Sequence, residues 1–359
     1  YSTTNANVHR GVYTLAENAT IEFESARAKV AGFIGAKTQE VIFTSGTTMG
    51  LNMVARMLEL QITEGDEIVI SILEHHSNFV VWQQLALRKK AVLKVIPIDS
   101  NYQLDMLAAA RLITKRTKIV ACTYVSNVLG VITPIAEVTR MAQKVGAYTI
   151  IDGAQAVPHL KIDVRELGCD FLAFSGHKMM GPTGIGVLYG REEVLRRLEP
   201  VVFGGEMVKE VMIATTSWND IPYKFEAGTP NIAGAIGLGS AVEYIQMLPR
   251  DEIHEQLQGL LNYTLTEMKK MKGITMYGVD SSSRVPMIAF NVEGVHAHDV
   301  AEILNREGVC IRAGHHCAKP LHTALGIDAS ARLSLYIYNT KKDVDIFLKG
   351  LMRVKEVFV

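Results

Sequence analysis

Residues Lys118-Ile119-Val120-Ala121-Cys122-Thr123-Tyr124, then Ile135–Val145, then Tyr148-Thr149-Ile150-Ile151-Asp152 read as strand, helix, strand. The two outer runs are short, apolar and rich in β-branched residues, as strands covered on both faces must be. The same alternation extends in both directions. Strands are expected at Glu40–Thr44, Glu67–Ile70, Val92–Ile96, Phe171–Phe174 and Gly186–Tyr189, and helices at Thr48–Met57, Phe79–Arg88 and Leu104–Ala110. This pattern predicts an α/β fold with a mostly parallel sheet of seven strands and helices on both faces. Ligands on such sheets bind beyond the carboxyl ends of the strands, so the polar residues there carry the functional reading.

After Asn231 the pattern changes. Helices are expected at Ala233–Gln246 and Glu252–Met271, strands at Met287–Val292 and Val309–Arg312, and a closing helix at Lys342–Lys355. A large domain over residues 1–231 and a smaller α+β domain over 232–359 are expected, with the N-terminal segment also able to pack on the small one. Phe203–Thr216 reads as an irregular insertion. Lys+Arg and Asp+Glu both number 37, so bulk charge argues for neither a nucleic-acid nor a membrane partner. No apolar run reaches membrane-spanning length and no signal peptide is visible at Tyr1-Ser2-Thr3-Thr4-Asn5, so a cytoplasmic location is expected. The chain does not begin with Met, and a leading segment is expected ahead of it. Of the four cysteines, Cys122, Cys169 and Cys310 sit in or beside apolar runs and read as buried small hydrophobes. Cys317 lies in a turn.

Five clusters carry chemistry. Thr44-Ser45-Gly46-Thr47-Thr48-Met49-Gly50 follows a strand and opens a helix. Unpaired N–H groups, a glycine and two hydroxyls there make a phosphate cradle, with a plain helix cap as the alternative. Asp152 ends an apolar strand, where a carboxylate calls for a cationic partner such as a protonated pyridine nitrogen; capping the following helix is the other reading. Phe174-Ser175-Gly176-His177-Lys178 runs from a strand into a turn bearing a lysine. An amine desolvated at a strand end becomes nucleophilic, whereas a solvated loop lysine does not. In Glu74-His75-His76-Ser77-Asn78, a histidine face can stack on a flat ring or sit idle at the surface. Finally, Arg312-Ala313-Gly314-His315-His316-Cys317-Ala318 places a thiol between histidines, and downstream Arg332 offers a fork for a carboxylate. Three consecutive residues do not converge on one metal, and no CxxC or HxxxH accompanies them, so no metal is expected.

These clusters occur with Val8-His9-Arg10-Gly11, Val125-Ser126-Asn127-Val128-Leu129-Gly130, Asp152-Gly153-Ala154-Gln155-Ala156, Phe225-Glu226-Ala227-Gly228-Thr229-Pro230-Asn231 and Tyr338-Asn339-Thr340. In this order they resemble the group II, Suf-type cysteine desulfurases, class V aminotransferase-like enzymes of pyridoxal 5'-phosphate (PLP), over nearly the whole chain. The resemblance implies the PLP-dependent transferase fold type I and a homodimer. It implies Lys178 as the Schiff-base lysine, His75 stacked on the ring, Asp152 on the pyridine nitrogen and Gln155 on the phenolic oxygen. Thr47, Thr48, Ser175 and His177 would hold the phosphate, with Thr229 reaching that of the partner subunit. Asn127, Arg332, His9 and Arg312 would line the substrate pocket. L-cysteine would give up its sulfur to Cys317 as a persulfide and leave as alanine. A carrier protein or cluster scaffold would then collect the sulfur for iron–sulfur or other cofactor assembly. Two residues depart from the usual pattern: Lys319 stands where Gln or Met is commoner, and His322 where Met is usual. Selenocysteine lyase, a class V aminotransferase without a thiol, and a degenerate partner-binding scaffold are the alternatives; Cys317 in its turn favours the desulfurase.

Overall fold

The computed structural model describes residues 5–278 and 284–358. Its large sheet has seven strands: β1 (Val41–Thr44), β2 (Glu67–Ser71), β3 (Val92–Ile96), β4 (Thr117–Thr123), β5 (Tyr148–Asp152), β6 (Phe171–Ser175) and β7 (Gly186–Gly190). They lie in the order β1-β7-β6-β5-β4-β2-β3. β3, β2, β4, β5 and β6 run parallel, and β7 alone runs antiparallel to both of its neighbours. Each of the seven expected strands is present to within a residue or so. Gly186 shows why β1 and β7 can pair so closely, because a Cβ there would lie 2.4 Å from Gly46 Cα.

The helices of this part are α1 (Thr14–Phe33), α2 (Thr47–Leu58), α3 (His76–Lys89), α4 (Met106–Leu112), α5 (Ile135–Val145), α6 (Val164–Leu167) and α7 (Glu192–Arg197). Two apolar clusters flank the sheet. One face packs Val69, Val120, Cys122 and Ile151 with α1, α4 and α5, and the other packs Ile68, Ile70 and Ile150 with α2 and α3. The segment expected to be irregular contains a hairpin, β8 (Val208–Val211) with β9 (Thr216–Trp218).

The remainder comprises α8 (Ile232–Met247), α9 (Arg250–Lys269), α10 (Ala297–Arg306), α11 (Lys319–Ala324) and α12 (Lys341–Phe358) around a four-stranded sheet. That sheet orders β10 (Ile274–Tyr277), β11 (Met287–Val292), β13 (Ser330–Ser334) and β12 (Arg312–Gly314). The buried face of α8 (Ala235, Leu238, Val242, Ile245) joins the α1 side of the large core, whereas a separate core starts with Leu257 and Leu261 of α9. Thus α8, which follows the expected boundary at 231, lays its buried face against α1. A difference concerns Val309–Arg312. The strand begins only at Arg312, where pairing with Arg332 sets its register, and β12 is an edge. Cys310 precedes that edge and is exposed, against the expectation of burial; Cys122 and Cys169 are buried.

Candidate functional site

The carboxyl ends of β4, β5 and β6 and the start of α2 surround a cavity of about 270 Å³. Thr47, Thr48, His75, Asp152, Gln155, Ser175, His177 and Lys178 line it from the large domain. Asn127 lines it too, and Arg312 and Arg332 close it from the small sheet. Sequence reasoning did not single out Ser77, Thr123, Val125 and Ala154, which also line it. The parallel strands aim these residues at one place because β5 and β6 end side by side, with Asp152 opposite Ala173.

Asp152 is buried, and its Oδ1 accepts the Ala154 N–H at 2.9 Å. The carboxylate thus caps a turn and also faces the cavity, so the two readings of this residue coexist. Burial pushes its pKa up while Lys178 opposes the shift. Burial in turn holds Lys178 below the ordinary ammonium range, against the pull of Asp152 and with the push of Arg332 and Arg312. Among the described residues the amine makes no hydrogen bond. His75 is neutral at ordinary pH, because burial and then the nearby Lys178 push it down to about 4. Its Nδ1 accepts the Ser77 N–H at 3.1 Å, which fixes the ring at the start of α3 with its proton on Nε2.

At the phosphate end, Ser175 Oγ accepts the Thr47 N–H at 2.9 Å and lies 2.7 Å from Thr47 Oγ1. Gly46 has φ +150, and a Cβ there would come within 3.2 Å of Ser175 Oγ. Glycine is therefore what lets the backbone close on this corner. The donor set fits PLP: hydroxyls and a helix start for a phosphate, a buried carboxylate for a pyridinium, a flat neutral ring and an unpaired amine. Arg332 Nη1 donates to Asn127 O at 2.6 Å, while Arg332 Nε and Asn127 Oδ1 are buried without a partner. Burial, and then Arg312, push Arg332 down to about 10. An unpaired buried guanidinium N–H calls for an anionic ligand.

Cys317 stands beside this cavity. Its sulfur accepts from Arg312 Nη2 at 3.4 Å, and Arg312 bridges it to the cavity wall. Two expected residues lie elsewhere. His9 does not line the cavity; it is held between Glu24 Oε1 at 3.0 Å and Glu206 Oε1 at 2.6 Å, and those carboxylates draw it away. Thr229 is exposed on a loop whose neighbours Gly228 and Pro230 line a different pocket, next to Ser45 and Met49. Among the described residues no group of three or more His, Cys, Asp or Glu could hold a metal, and no helix is long and apolar enough to cross a membrane.

The class-V aminotransferase family model matches residues 1–347. A probable cysteine desulfurase of Halalkalibacterium halodurans is 49% identical over 100% of this chain and 88% of its own length. One from Staphylococcus aureus is 48% identical, covering 100% of this chain and 87% of that protein. Among solved structures, the apo cysteine desulfurase of Thermococcus onnurineus superposes with a TM-score of 0.95 at 41% identity, over 99% of this chain and 88% of that one. An Escherichia coli cysteine desulfurase in its S-sulfonic acid form gives 0.94 at 37%, over 100% and 90%.

Proposed function

The chain belongs to the class-V aminotransferase family, and from that membership and the geometry of its pocket we propose that it is a PLP-dependent cysteine desulfurase acting through Lys178 and Cys317. One observation carries the assignment of the sulfur acceptor. Buried Asp152 and half-buried Lys178 line the cavity, and Arg312, which also lines it, holds the Cys317 sulfur at 3.4 Å.

When bound, the cofactor supplies an electron sink next to the substrate's Cα. Thr47, Thr48, Ser175 and His177 hold its phosphate at the start of α2. Asp152 would keep the proton on its ring nitrogen, Gln155 would meet its phenolic oxygen, and the His75 ring would pack on it. Lys178 Nζ would hold the cofactor covalently, and its free amine would take the Cα proton of L-cysteine. The lowering of its pKa by burial serves that task, since a base must be neutral to accept. Arg332, Asn127 and Arg312 orient the substrate carboxylate. Cys317 Sγ then attacks the substrate sulfur. An S–S bond forms, the Cβ–S bond breaks, and its electron pair stays on Cβ, which takes a proton, while Lys178 returns one to Cα. Alanine leaves and the outer sulfur remains on Cys317 until a thiol or partner removes it.

We place the enzyme in the cytoplasm as a homodimer. The exposure of Thr229, away from its own cavity, suits a role at the partner subunit's phosphate. A carrier protein or cluster scaffold collects the sulfur for iron–sulfur or other cofactor assembly. The test is alanine release from L-cysteine with a reducing thiol, comparing the wild type with Cys317→Ala. The wild type is expected to release alanine and sulfide, and the variant neither. Equal activity in both would remove Cys317 from the reaction and favour a selenocysteine lyase.

A further inference from the structure

Cys317 occupies a turn that the backbone resists. Ala318 N–H donates to His315 O at 2.8 Å, and the two central residues, His316 and Cys317, have φ 51 and φ 57. Left-handed conformations at non-glycine residues persist only where the surroundings over-determine them. The helix that follows gives little local help. α11 begins at Lys319, its N-cap residue is Ala318, and no side chain of its own caps it. Its first N–H would be left unpaired.

That N–H goes to His76. Lys319 N–H donates to His76 Nε2 at 3.1 Å across 243 residues of sequence. In return the His76 N–H, itself one of the unpaired donors at the start of α3, goes to Cys317 O at 2.7 Å. Two helix starts, one in each domain, therefore cap each other, and the cysteine lies between the two bonds. Asn127 Nδ2 adds a third bond, to His316 O at 2.7 Å. We propose that His76 is a positioning residue for sulfur transfer, its Nε2 acting as the acceptor that seats the Cys317 turn against the large domain. The inference rests on the desulfurase reading above.

The chemistry of the ring agrees. Since Nε2 accepts, the ring proton is on Nδ1. Burial, and then His315 with its ring centroid 5.7 Å away, hold His76 below the usual histidine range and keep Nε2 free to accept. Nor is His76 a second ring-stacking residue, because His75 lines the 270 Å³ cavity and His76 does not.

The experiment compares the holoenzyme with His76→Leu and His76→Gln. Glutamine places an acceptor oxygen at about the reach of Nε2, whereas leucine keeps the volume without it. In a single turnover with L-cysteine, His76→Leu is expected to form the Cys317 persulfide about 10- to 100-fold more slowly, with KM within about threefold and cofactor absorbance unchanged. His76→Gln is expected within about threefold of wild type. A leucine variant as fast as wild type, or a glutamine variant as slow as leucine, overturns the proposal. Alkylation of Cys317 by iodoacetamide needs no turnover and separates the two readings. If the wild type forms no persulfide, the desulfurase reading fails. The positioning role then stands if leucine alters the alkylation rate and glutamine does not, and falls if all three rates agree.

Discussion

The wall that carries Asp152 and Lys178 is built from strand ends, while the turn that carries Cys317 is built from two left-handed residues. On the wall, the sheet sets direction, and burial sets charge. Asp152 ends a strand of a parallel ladder, and Lys178 follows the neighbouring strand in a short 3-10 turn. The turn has no such ladder. It is held by bonds from elsewhere: His76 and Asn127 on one side, and on the other a buried trio in which His316 Nε2 and His322 Nε2 lie 3.1 and 3.0 Å from one Ser330 hydroxyl. His316 Nε2 also faces Ser330 O at 3.0 Å and so carries a proton; His322 Nδ1 faces Ala318 O at 3.1 Å and carries another. The hydroxyl therefore accepts from His316 and donates to His322. Regular structure fixes the residue that must not move, and a polar clamp fixes the one that must receive and hand on a sulfur atom.

The largest expected effect lies on the wall. Lys178→Ala removes both the covalent link and the base, and alanine release should fall by at least about 10⁴-fold. Loss of the lysine-linked absorbance band should accompany it. Retained activity would break the comparison at its root. A smaller effect belongs to the clamp. Ser330→Ala takes away the hydroxyl shared by two buried imidazoles, leaving His322 Nε2 without a partner while His316 Nε2 keeps the Ser330 carbonyl. It should cost about 1–3 kcal/mol in chemical denaturation. It should also slow persulfide formation while leaving cofactor absorbance intact. A stability loss with unchanged persulfide kinetics would show that the trio supports the fold and not the turn.

The two regions also differed in how far the sequence exposes them. All seven strands of the wall were readable, since strands buried on both faces are continuous β-branched runs and their last residues are where polarity returns. Asp152 and Lys178 were found in this way. Helix α1 carried no such signal. Its buried face mixes Ala16, Ala19, Ala26 and Ala31 with Phe23, Val30 and Phe33, and Arg27 is fully buried among them, so its apolar contrast is weak. Strand β13 was hidden for a related reason, because Ser330 and Arg332 turn polar groups inward to the clamp and the cavity. The resemblance pointed to His9 as a pocket residue, yet Glu24 and Glu206 hold it elsewhere in this chain. Least legible of all was the pairing of His76 with Lys319, which no local pattern encodes.

The last expected effect is read through pH. Glu74, one residue before the ring-stacking His75, is buried behind the wall. Its Oε1 accepts from the Thr123 N–H at 2.8 Å and from the Ser71 hydroxyl, and its Oε2 from Asn78 Nδ2 at 2.6 Å. Three donors favour the anion, but burial outweighs them and pushes the group up to about 8, with Asp152 adding to the rise. A carboxyl raised in the folded state keeps a proton that the unfolded chain releases. Its contribution to stability is therefore fully present below the ordinary carboxyl value of 4.5 and is lost as pH rises through about 8. Glu74→Gln cannot titrate. Between those limits the wild type should lose stability relative to the variant, by at most about 1.4 kcal/mol per pH unit, whatever constant offset the amide introduces. Denaturation midpoints measured across that range would show the wild-type curve falling relative to the variant's as pH rises. Parallel curves would mean that Glu74 is already ionised in the fold, and that its three donors, not the low dielectric behind the wall, decide its charge.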